Sequence, residues 1–458
     1  MHNIYVRDII NLCNGKLLCG DLDLVLGDFC TDSRKIKKND VYVGIRGEVF
    51  DGNKFYRDAI ERDANVCILD NVEDSYEYGD ATIILVEDSI KCLQELAKYK
   101  RSLYNIPVIA ITGSVGKTST KDMIASVVEQ KYKTCKTIGN YNNHIGVPLT
   151  ILSLRDEEAL VVEMGMNHLR EIAVLSEIAK PTISVITNVG TAHIGILGSR
   201  ENILKAKLEI LEGMMVGSDI VINYDNDMLS GVVDELNDKY LVNTIGIDSD
   251  AKYKAINIEE QVFSSKFDID GISNDIKVNV GGDAFIYNSL VAYAIGDILG
   301  ISDKDIKNGI DKFKLSSGRL EMKINSKGVT IIDDTYNANF DSMKGSIELL
   351  GKVSDKRKVL ILGDMLELGE YSKEIHSNIG DVVFNNKIDK LITVGEESIN
   401  IENRVIELGM SREDCYHFEK EDECYGLVME LLDKDDIVLL KGSHGIHLDR
   451  VVEKIMQS

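Results

Sequence analysis

The 458-residue sequence lacks the patterns that mark membrane-spanning, secreted and zinc-binding proteins. It contains no apolar run of 18 or more residues, and its first residues, MHNIYVRD, lack the basic and then apolar pattern of a signal peptide. Its eight cysteines are scattered without C-x-x-C spacing, which indicates neither a zinc site nor a disulfide framework. We therefore expect a cytoplasmic protein with reduced cysteines and no membrane insertion.

Positive charge is also scarce. The chain has 52 Lys and Arg residues against 76 Asp and Glu residues, which gives a formal net charge of −24. Nucleic acid and anionic membrane surfaces repel such a chain, so neither is expected as a partner. An anionic substrate must therefore be held by local cations and metal, against the overall field of the protein.

The most informative stretch is PVIAITGSVGKTST at 107–120. Its β-branched start predicts a buried strand, its end opens a predicted helix, and a glycine loop joins the two. The loop is a short form of the phosphate-binding pattern G-x-x-x-x-G-K-[ST], because Ile111 stands where that pattern has glycine. Loop N–H groups, the helix N-terminus and Lys117 converge to bind a polyphosphate, and Thr118 offers a hydroxyl to Mg²⁺. The alternative is a plain glycine turn with an incidental lysine.

Alternating strand and helix signals predict an α/β chain of three domains. Residues 1–105 predict a small α/β domain, residues 106–317 a central domain with a parallel sheet, and residues 318–458 a third α/β domain. Period-two alternation over residues 253–280 predicts a small antiparallel appendage. Ligands of parallel sheets collect at the carboxyl ends of strands, so polar residues that follow strands are the candidates for a site.

Two such residues in the central part are Glu163 and His193. Glu163 ends a strand predicted to lie near the glycine loop, where its carboxylate and the Thr118 hydroxyl would hold Mg²⁺ beside substrate phosphates. The alternative for Glu163 is an N-cap or loop carboxylate. A lone loop histidine such as His193 is more often structural than a ligand.

The sequence NKID at 386–389 spells the guanine-reading motif N-K-x-D of GTPases. In those proteins the motif follows a strand, whereas here it ends a predicted helix and precedes a strand. It also lies more than a typical domain length beyond Lys117. We therefore reject a GTPase switch.

Lys207 lies on a helix predicted over residues 199–212. Lys205 on the same helix has Glu201 and Glu209 at four-residue spacing, which predicts a solvated salt-bridge ladder. The neighbours of Lys207 at three and four residues are instead apolar: Ile203, Leu204, Ile210 and Leu211. A buried ammonium tends to lose its proton, and the neutral amine can then react with CO₂ to give an anionic carbamate. The alternative is that the Lys207 side chain reaches the surface.

Motifs along nearly the whole chain resemble those of the Mur ligase family. They are TDSR at 31–34, GEVFDG at 47–52, TGSVGKT at 112–118, TIGNYNNHIGVPL at 137–149, EMGMNH at 163–168, TNVGTAH at 187–193, AKLEI at 206–210, YNSL at 287–290, SGRLE at 317–321, DDTYNAN at 333–339 and KGS at 441–443. The asparagine-rich stretches 139–148 and 333–339 are similar to those of the member that adds a dipeptide. Phe340 and Arg170 depart from the family pattern, which usually has proline and glycine there.

The resemblance implies an ATP-dependent amide ligase of three domains, in which a Rossmann-like third domain closes on a central P-loop domain. It implies that D-alanyl-D-alanine is added to UDP-N-acetylmuramoyl-tripeptide through an acyl phosphate, in peptidoglycan precursor synthesis. It further implies ATP, two Mg²⁺ sites, a carbamylated Lys207 and a monomeric enzyme. The alternatives are a sister ligase that adds a single amino acid and a P-loop ATPase or regulator without ligase activity.

The resemblance also implies roles for individual residues. The residues implied to bind ATP are Gly113, Ser114, Val115, Gly116, Lys117, Thr118, Ser119, Asn288, Arg319 and Asp334. Those implied to bind metal are Thr118, Glu163, His193 and Lys207; those implied in catalysis are Lys117, Lys207 and His193; and those implied to bind substrate are Ser33, Arg34, Asp51, Asn142 and Asn143. Apart from the resemblance, a helical asparagine such as Asn288 is equally well a solvent-facing or core-bonded amide.

Overall fold

The computed structural model describes residues 3–47, 49–72 and 81–457, which form three β-sheets flanked by helices. The sheets follow one another along the chain, and we call them, with their helices, the first, central and third units. The predicted α/β fold with a parallel central sheet is confirmed. Glu48, which belongs to the motif GEVFDG at 47–52, lies outside the described residues. Within those residues, no helix is both long and apolar enough to cross a membrane.

The first unit contains α1 (Val6–Cys13), β1 (Lys16–Cys19), β2 (Phe29–Cys30), β3 (Val41–Val43), α2 (Tyr56–Glu61), β4 (Val66–Leu69), β5 (Thr82–Leu85) and α3 (Ser89–Ser102). Its strand order is β1-β5-β4-β3-β2, with β1 antiparallel to β5 and the other neighbours parallel. A 3₁₀ turn, Gly52–Phe55, precedes α2, and the Asp51 side chain caps that turn.

The central unit contains β6 (Val108–Thr112), α4 (Lys117–Val128), β7 (Thr134–Lys136), α5 (Gly146–Leu152), β8 (Ala159–Glu163), α6 (Glu171–Ala179), β9 (Ile183–Ile186), α7 (Ile194–Leu197), α8 (Arg200–Leu208), β10 (Asp219–Asn223), α9 (Asp227–Ser230), α10 (Val233–Asn237), β11 (Leu241–Gly246), β12 (Tyr253–Gln261), β13 (Ser264–Ile269), β14 (Ser273–Val278), α11 (Asp283–Ile298) and α12 (Asp303–Asp311). The strand order is β14-β13-β12-β11-β10-β9-β6-β8-β7. The pairs between β7 and β12 are parallel, and β12 to β14 form the predicted antiparallel appendage. Because β8 and β9 flank β6 on opposite sides, the carboxyl end of β6 is a switch point where α/β sheets bind ligands.

The third unit contains β15 (Glu321–Ile324), β16 (Thr330–Asp334), α13 (Phe340–Gly351), β17 (Lys358–Gly363), α14 (Ser372–Asn385), β18 (Lys390–Val394), α15 (Ile399–Leu408), β19 (Cys415–Phe418), α16 (Tyr425–Leu431), β20 (Ile437–Lys441) and α17 (Leu448–Met456). Its strand order is β15-β16-β20-β17-β18-β19, parallel except for β15. The NKID stretch joins α14 to β18, and Asp389 accepts the N–H of Lys358 at 2.7 Å. This stretch is therefore a structural connection.

Alternate residues of the central strands face two different apolar cores. Val108 and Ala110 belong to a core that continues into the first unit, whereas Ile109 and Ile111 pack with α4 and α11 on the opposite face. The third unit has two further apolar clusters, one on each face of its sheet. Full burial of one such aliphatic side chain stabilises a fold by roughly 1.5–3 kcal/mol, so these cores hold the strand ends and their loops in place.

Candidate active site

The glycine loop between β6 and α4 is braced by the polar residues that follow β9. Asn188 Oδ1 accepts the N–H of Ser114 at 3.0 Å and that of Val115 at 2.9 Å, and Thr187 Oγ1 donates to the Val115 carbonyl at 2.8 Å. A Cβ at Gly113 would lie 1.9 Å from Thr187 Oγ1, so only glycine allows this approach. The N–H groups that open α4 have no partner within the helix and are the donors suited to phosphate oxygens.

Lys117 is the first residue of α4, and its side chain folds back over the loop. Its Nζ donates to the Gly113 carbonyl at 2.8 Å. Burial lowers the pKa of Lys117, the Glu163 carboxylate opposes that shift, and the Arg319 guanidinium adds to it. The lysine therefore sits between a carboxylate and a second cation, in a position to balance the charge of a phosphoryl group.

Glu163 is a buried carboxylate held by polar partners on both oxygens. Thr118 Oγ1 donates to Oε2 at 2.8 Å, and Asn142 Nδ2 donates to Oε1 at 2.8 Å. The Glu163 N–H donates to Thr137 Oγ1 at 3.0 Å, which fixes the end of β8 beside the loop. The structure thus places Thr118, Glu163 and Asn142 together.

This oxygen set fits Mg²⁺, which prefers oxygen ligands, keeps several waters and is usually bound through one or two carboxylates plus substrate phosphates. Among the described residues, no group of three or more His, Cys, Asp and Glu side chains is arranged to hold a metal ion. A cation beside Thr118 and Glu163 therefore needs the oxygens of a phosphate ligand and of water.

Asn288 and Ser119 also line the cleft beside the glycine loop. Asn288 Oδ1 accepts a hydrogen bond from the Thr120 hydroxyl at 2.7 Å. The carbonyl half of this amide is therefore bonded inside the protein, as the alternative to a ligand-binding role predicted. Its amide nitrogen remains the group that a ligand in the cleft would meet.

Arg319 brings a cation from the third unit to the loop. Its guanidinium carbon lies 4.0 Å from the centre of the Tyr336 ring, a cation–π contact that orients the planar group. Its Nη2 donates to Thr118 Oγ1 at 3.0 Å. The third unit therefore completes the set of positive groups around the glycine loop.

Asp334 is a buried carboxylate at the end of β16, and its partners belong to the third unit. Oδ1 accepts the Leu320 N–H at 3.2 Å, and Oδ2 accepts Ser346 Oγ and Lys441 Nζ at 2.6 Å each. Asp334 lines the cleft, but most of its hydrogen-bonding capacity is used to hold Lys441 and the segment after Arg319. Lys441 is a cleft residue whose side-chain role the sequence reasoning did not assign.

Lys207 is 1% exposed on α8. Within the described residues it has no hydrogen-bond or ion-pair partner. Burial lowers its pKa well below the ordinary value, and the Lys117 charge adds to that shift. Lys207 is not among the residues that line the cleft.

The predicted ladder from Lys205 to Glu209 is wrong. The helix ends at Leu208, and a 3₁₀ turn, Glu209–Leu211, carries Glu209 inwards. There its carboxylate accepts the N–H groups of Arg170 at 2.7 Å and Ala173 at 3.2 Å and caps α6. Arg170 has φ +74°, a left-handed conformation that explains why glycine is usual at this position.

His193 lines the cleft in the loop after β9. Its Nδ1 lies 2.9 Å from Glu367 Oε2, a carboxylate of the third unit. Contact with His193 lowers the pKa of Glu367, against a raising effect of burial. No recorded contact of the described residues joins His193 to Lys207.

The candidate residues of the first unit lie outside the cleft. Ser33 is buried at the start of a 3₁₀ turn, and the Arg34 guanidinium is exposed and paired with Asp32 through two hydrogen bonds of 2.8 and 2.9 Å. The Arg34 hydrogen bond lowers the pKa of Asp32 to about 2. Asp51 accepts the Asn53 N–H at 3.0 Å.

Asn143 is an exposed cleft residue that caps the start of α5. Its Oδ1 accepts the N–H groups of Ile145 at 3.1 Å and Gly146 at 2.9 Å. Its amide nitrogen is the group left for a ligand.

The cleft between the central and third units has a volume of about 540 Å³, within the usual size of a small-molecule site. Sequence reasoning missed Asn188 as a residue that holds the glycine loop, although it is the last residue of the strand signal at 183–188. It also missed Glu367, for which no local pattern exists because its partner lies in another unit.

Comparisons with known proteins agree along the whole chain. Family models match at residues 29–101 (Mur ligase family, catalytic domain), 111–296 (Mur ligase middle domain) and 318–444 (Mur ligase, glutamate ligase domain). The UDP-N-acetylmuramoyl-tripeptide--D-alanyl-D-alanine ligase of Bacillus subtilis (strain 168) is 33% identical over 456 residues, covering 99% of this chain and 98% of its own. The enzyme of the same name from Synechocystis sp. is 33% identical over 452 residues, covering 98% and 96%.

Two solved structures are similar over nearly the full length. MurF from Acinetobacter baumannii has a TM-score of 0.90 at 26% identity, with 100% of both chains covered. MurF ligase from Thermotoga maritima in complex with ADP has a TM-score of 0.81 at 27% identity, with 94% of this chain and 97% of that chain covered. The chain belongs to the Mur ligase family.

Proposed function

We propose that this protein is an ATP-dependent ligase that joins D-alanyl-D-alanine to UDP-N-acetylmuramoyl-tripeptide in peptidoglycan precursor synthesis. The observation that carries the proposal is the meeting of the glycine loop, the Glu163 carboxylate and Arg319 in one cleft. The identity of the substrates is inferred from the full-length similarity to ligases of that name.

The reaction has two steps. A carboxylate oxygen of the tripeptide attacks the γ-phosphorus of ATP, the bond to the bridging oxygen breaks, and ADP leaves. The amine of D-alanyl-D-alanine then attacks the acyl carbon, phosphate leaves with the bonding pair, and the amine loses a proton to solvent. The products are the amide, ADP and phosphate.

The chain contributes positioning and charge balance to the first step. The N–H groups that open α4 hold phosphate oxygens, and Lys117 and Arg319 balance the charge that develops on the transferring group. Thr118 and Glu163 would hold Mg²⁺, which neutralises the β- and γ-phosphate oxygens when bound. ATP contacts by residues 113–119 and by Asn288 and Asp334 belong to the same proposal.

Lys207 is proposed to work as a carbamate, sharing a second Mg²⁺ with His193. Its burial, its lack of a polar partner among the described residues and its lowered pKa favour the neutral amine. That amine attacks CO₂, a nitrogen–carbon bond forms, and one N–H proton leaves. The carbamate oxygens and a neutral imidazole are chemically suited to a divalent cation.

We further propose that residues 1–105, 106–317 and 318–458 are the UDP-sugar, ATP-binding and closing domains. Ser33, Arg34 and Asp51 would contact the nucleotide sugar, and Asn142 and Asn143 the peptide end. The exposed Arg34 guanidinium, held by Asp32, is suited to a diphosphate. We propose a monomer in the cytoplasm, and the eight free cysteines support a reducing compartment.

The decisive test is phosphate release from ATP with the UDP-muramoyl-tripeptide and the amine acceptor supplied separately and together. A ligase releases phosphate at full rate only with both substrates, and product mass shows the added dipeptide. Comparable release without them would make the protein an ATPase or regulator. A parallel series with single amino acids in place of D-alanyl-D-alanine separates this activity from that of a sister ligase.

A further inference from the structure

The loop that carries His193, together with α7, is pressed against the third unit. A Cβ at Gly195 would lie 2.7 Å from the Glu367 carbonyl oxygen, and one at Gly190 would lie 2.0 Å from Asp341 Oδ2. At Gly195 the close atoms belong to the backbone, so only glycine allows the third unit to pack directly on the backbone of this loop. At Gly190 the close atom is the end of the Asp341 side chain, which a Cβ would displace.

This contact brings together two side chains from different units, His193 and Glu367. Both residues have φ +65°, in the left-handed region, which residues other than glycine rarely adopt. The surrounding structure therefore holds their backbones in this conformation. His193 Nδ1 is buried, and Glu367 Oε2 lies 2.9 Å away, at ion-pair distance but without the alignment of a hydrogen bond. The same imidazole lines the cleft, which leaves Nε2 as the ring nitrogen for a ligand there.

We propose, on the basis of the proposed function, that Glu367 is a positioning residue that accepts the Nδ1–H of His193 and leaves Nε2 for a divalent cation in the cleft. Metal-binding histidines commonly give their second N–H to a carboxylate, which fixes the tautomer and the ring orientation. Here the carboxylate comes from a different unit. The imidazole is therefore oriented to bind the cation only when the third unit is packed against this loop. Cation affinity is in this way coupled to the approach of the third unit.

Two measurements on the full chain test this role without turnover. The first is the ¹⁵N chemical shifts of His193 with Mg²⁺ and a non-hydrolysable ATP analogue, which report the tautomer. The second is Mn²⁺ affinity with the same analogue, measured by electron paramagnetic resonance. In Glu367→Ala the Nδ1–H form of His193 should no longer be the main tautomer, and Mn²⁺ should bind roughly 10- to 100-fold more weakly. Glu367→Gln should restore both, because its amide oxygen still accepts the N–H.

The matched control is Glu370→Gln, which removes an exposed carboxylate three residues away and should leave both readouts at the parent values. Gly195→Ala is an independent variant that blocks the packing of the third unit on this loop and keeps Glu367. It should weaken Mn²⁺ binding as Glu367→Ala does, whereas Ile196→Ala, on the exposed side of α7, should not. Thermal melting of each variant separates these effects from loss of folding.

An unchanged tautomer together with unchanged Mn²⁺ affinity in Glu367→Ala would overturn the positioning role. If Mn²⁺ binds weakly to Gly195→Ala but with parent affinity to Glu367→Ala, the packing of the third unit on this loop affects the cation without the Glu367 carboxylate, and the proposal is likewise overturned. The proposed function fails by a different result, which is a parent protein that makes no product from both substrates.

Discussion

Arg319 Nη2 donates to Thr118 Oγ1 at 3.0 Å, and that hydroxyl donates in turn to Glu163 Oε2 at 2.8 Å. One hydroxyl of the central unit thus links a cation of the third unit to a buried carboxylate. Under the proposed function, Thr118 would hold Mg²⁺ and Arg319 would contact a phosphate oxygen. The approach of the third unit would then be coupled to the assembly of the phosphate site.

Arg319→Lys should lower kcat by at least roughly tenfold, because a lysine keeps the charge but loses both the planar fork and the stacking on Tyr336. Steady-state kinetics with varied ATP measures kcat and KM. Arg412→Lys, an exposed arginine of the same unit, is the control and should match the parent. Equal kcat in Arg319→Lys would show that only the charge is needed.

Lys117→Ala should reduce ligation by at least roughly a hundredfold, the scale for one preorganised electrostatic contact to a developing charge. Folding should persist, since the hydrogen bond to Gly113 adds only about 1 kcal/mol. Product formation and thermal melting are measured together. Lys205→Ala removes an exposed lysine of the same unit and should change neither. Near-normal turnover in Lys117→Ala would mean that the loop is only a turn.

Glu163→Gln should raise the Mg²⁺ concentration for half-maximal rate by at least roughly tenfold, because a neutral amide is a weaker ligand than a carboxylate. Rates measured across a Mg²⁺ series at saturating ATP show the shift. Glu177→Gln, an exposed glutamate on α6, should follow the parent curve. An unchanged Mg²⁺ dependence in Glu163→Gln would remove Glu163 from the metal site.

Lys207→Ala should lose roughly tenfold to a hundredfold of activity and regain part of it with acetate or formate, which replace the carbamate oxygens. Mass spectrometry of the parent in bicarbonate buffer should show one added CO₂, absent from the variant. Lys205→Ala should retain both the activity and the added mass. Full activity of Lys207→Ala without carboxylate would contradict the carbamate.

Asp225→Asn should destabilise the fold near neutral pH and lose this effect in acid. Burial raises the pKa of Asp225, but hydrogen bonds from Ser249, Ile247 and Tyr287 outweigh it and lower the pKa from 3.8 to about 2. The ionised Asp225 carboxylate therefore contributes fully to the free energy of unfolding at pH values above its pKa in the unfolded chain. This contribution is lost as the pH falls through its pKa in the folded protein. Urea unfolding from about pH 7 to about pH 3 should show the gap between parent and variant narrowing below about pH 4. Asp238→Asn, an exposed change, should show no such gap.

Local periodicity predicted the elements well, because it reports which face of a segment is buried. The strand before the glycine loop and the inward edge that carries Lys207 both follow from residue spacing. Periodicity holds no information on partners distant in sequence. The cap that Glu209 provides to α6, the Lys441 partner of Asp334 and the contact of His193 with Glu367 all depend on how separate elements approach in three dimensions.

The apolar core shared by the first and central units has a consequence for how the chain comes apart. Residues of both units, from Ile4 to Leu236, belong to one cluster, and Arg101 of α3 donates to the carbonyls of Ala179 and Lys180 across the junction. The third unit has its own clusters. On heating, the first two units should lose structure in a single cooperative step and the third in a separate one. A nucleotide that binds both sides of the cleft, as proposed, should bring the two unfolding transitions seen by calorimetry closer together in temperature.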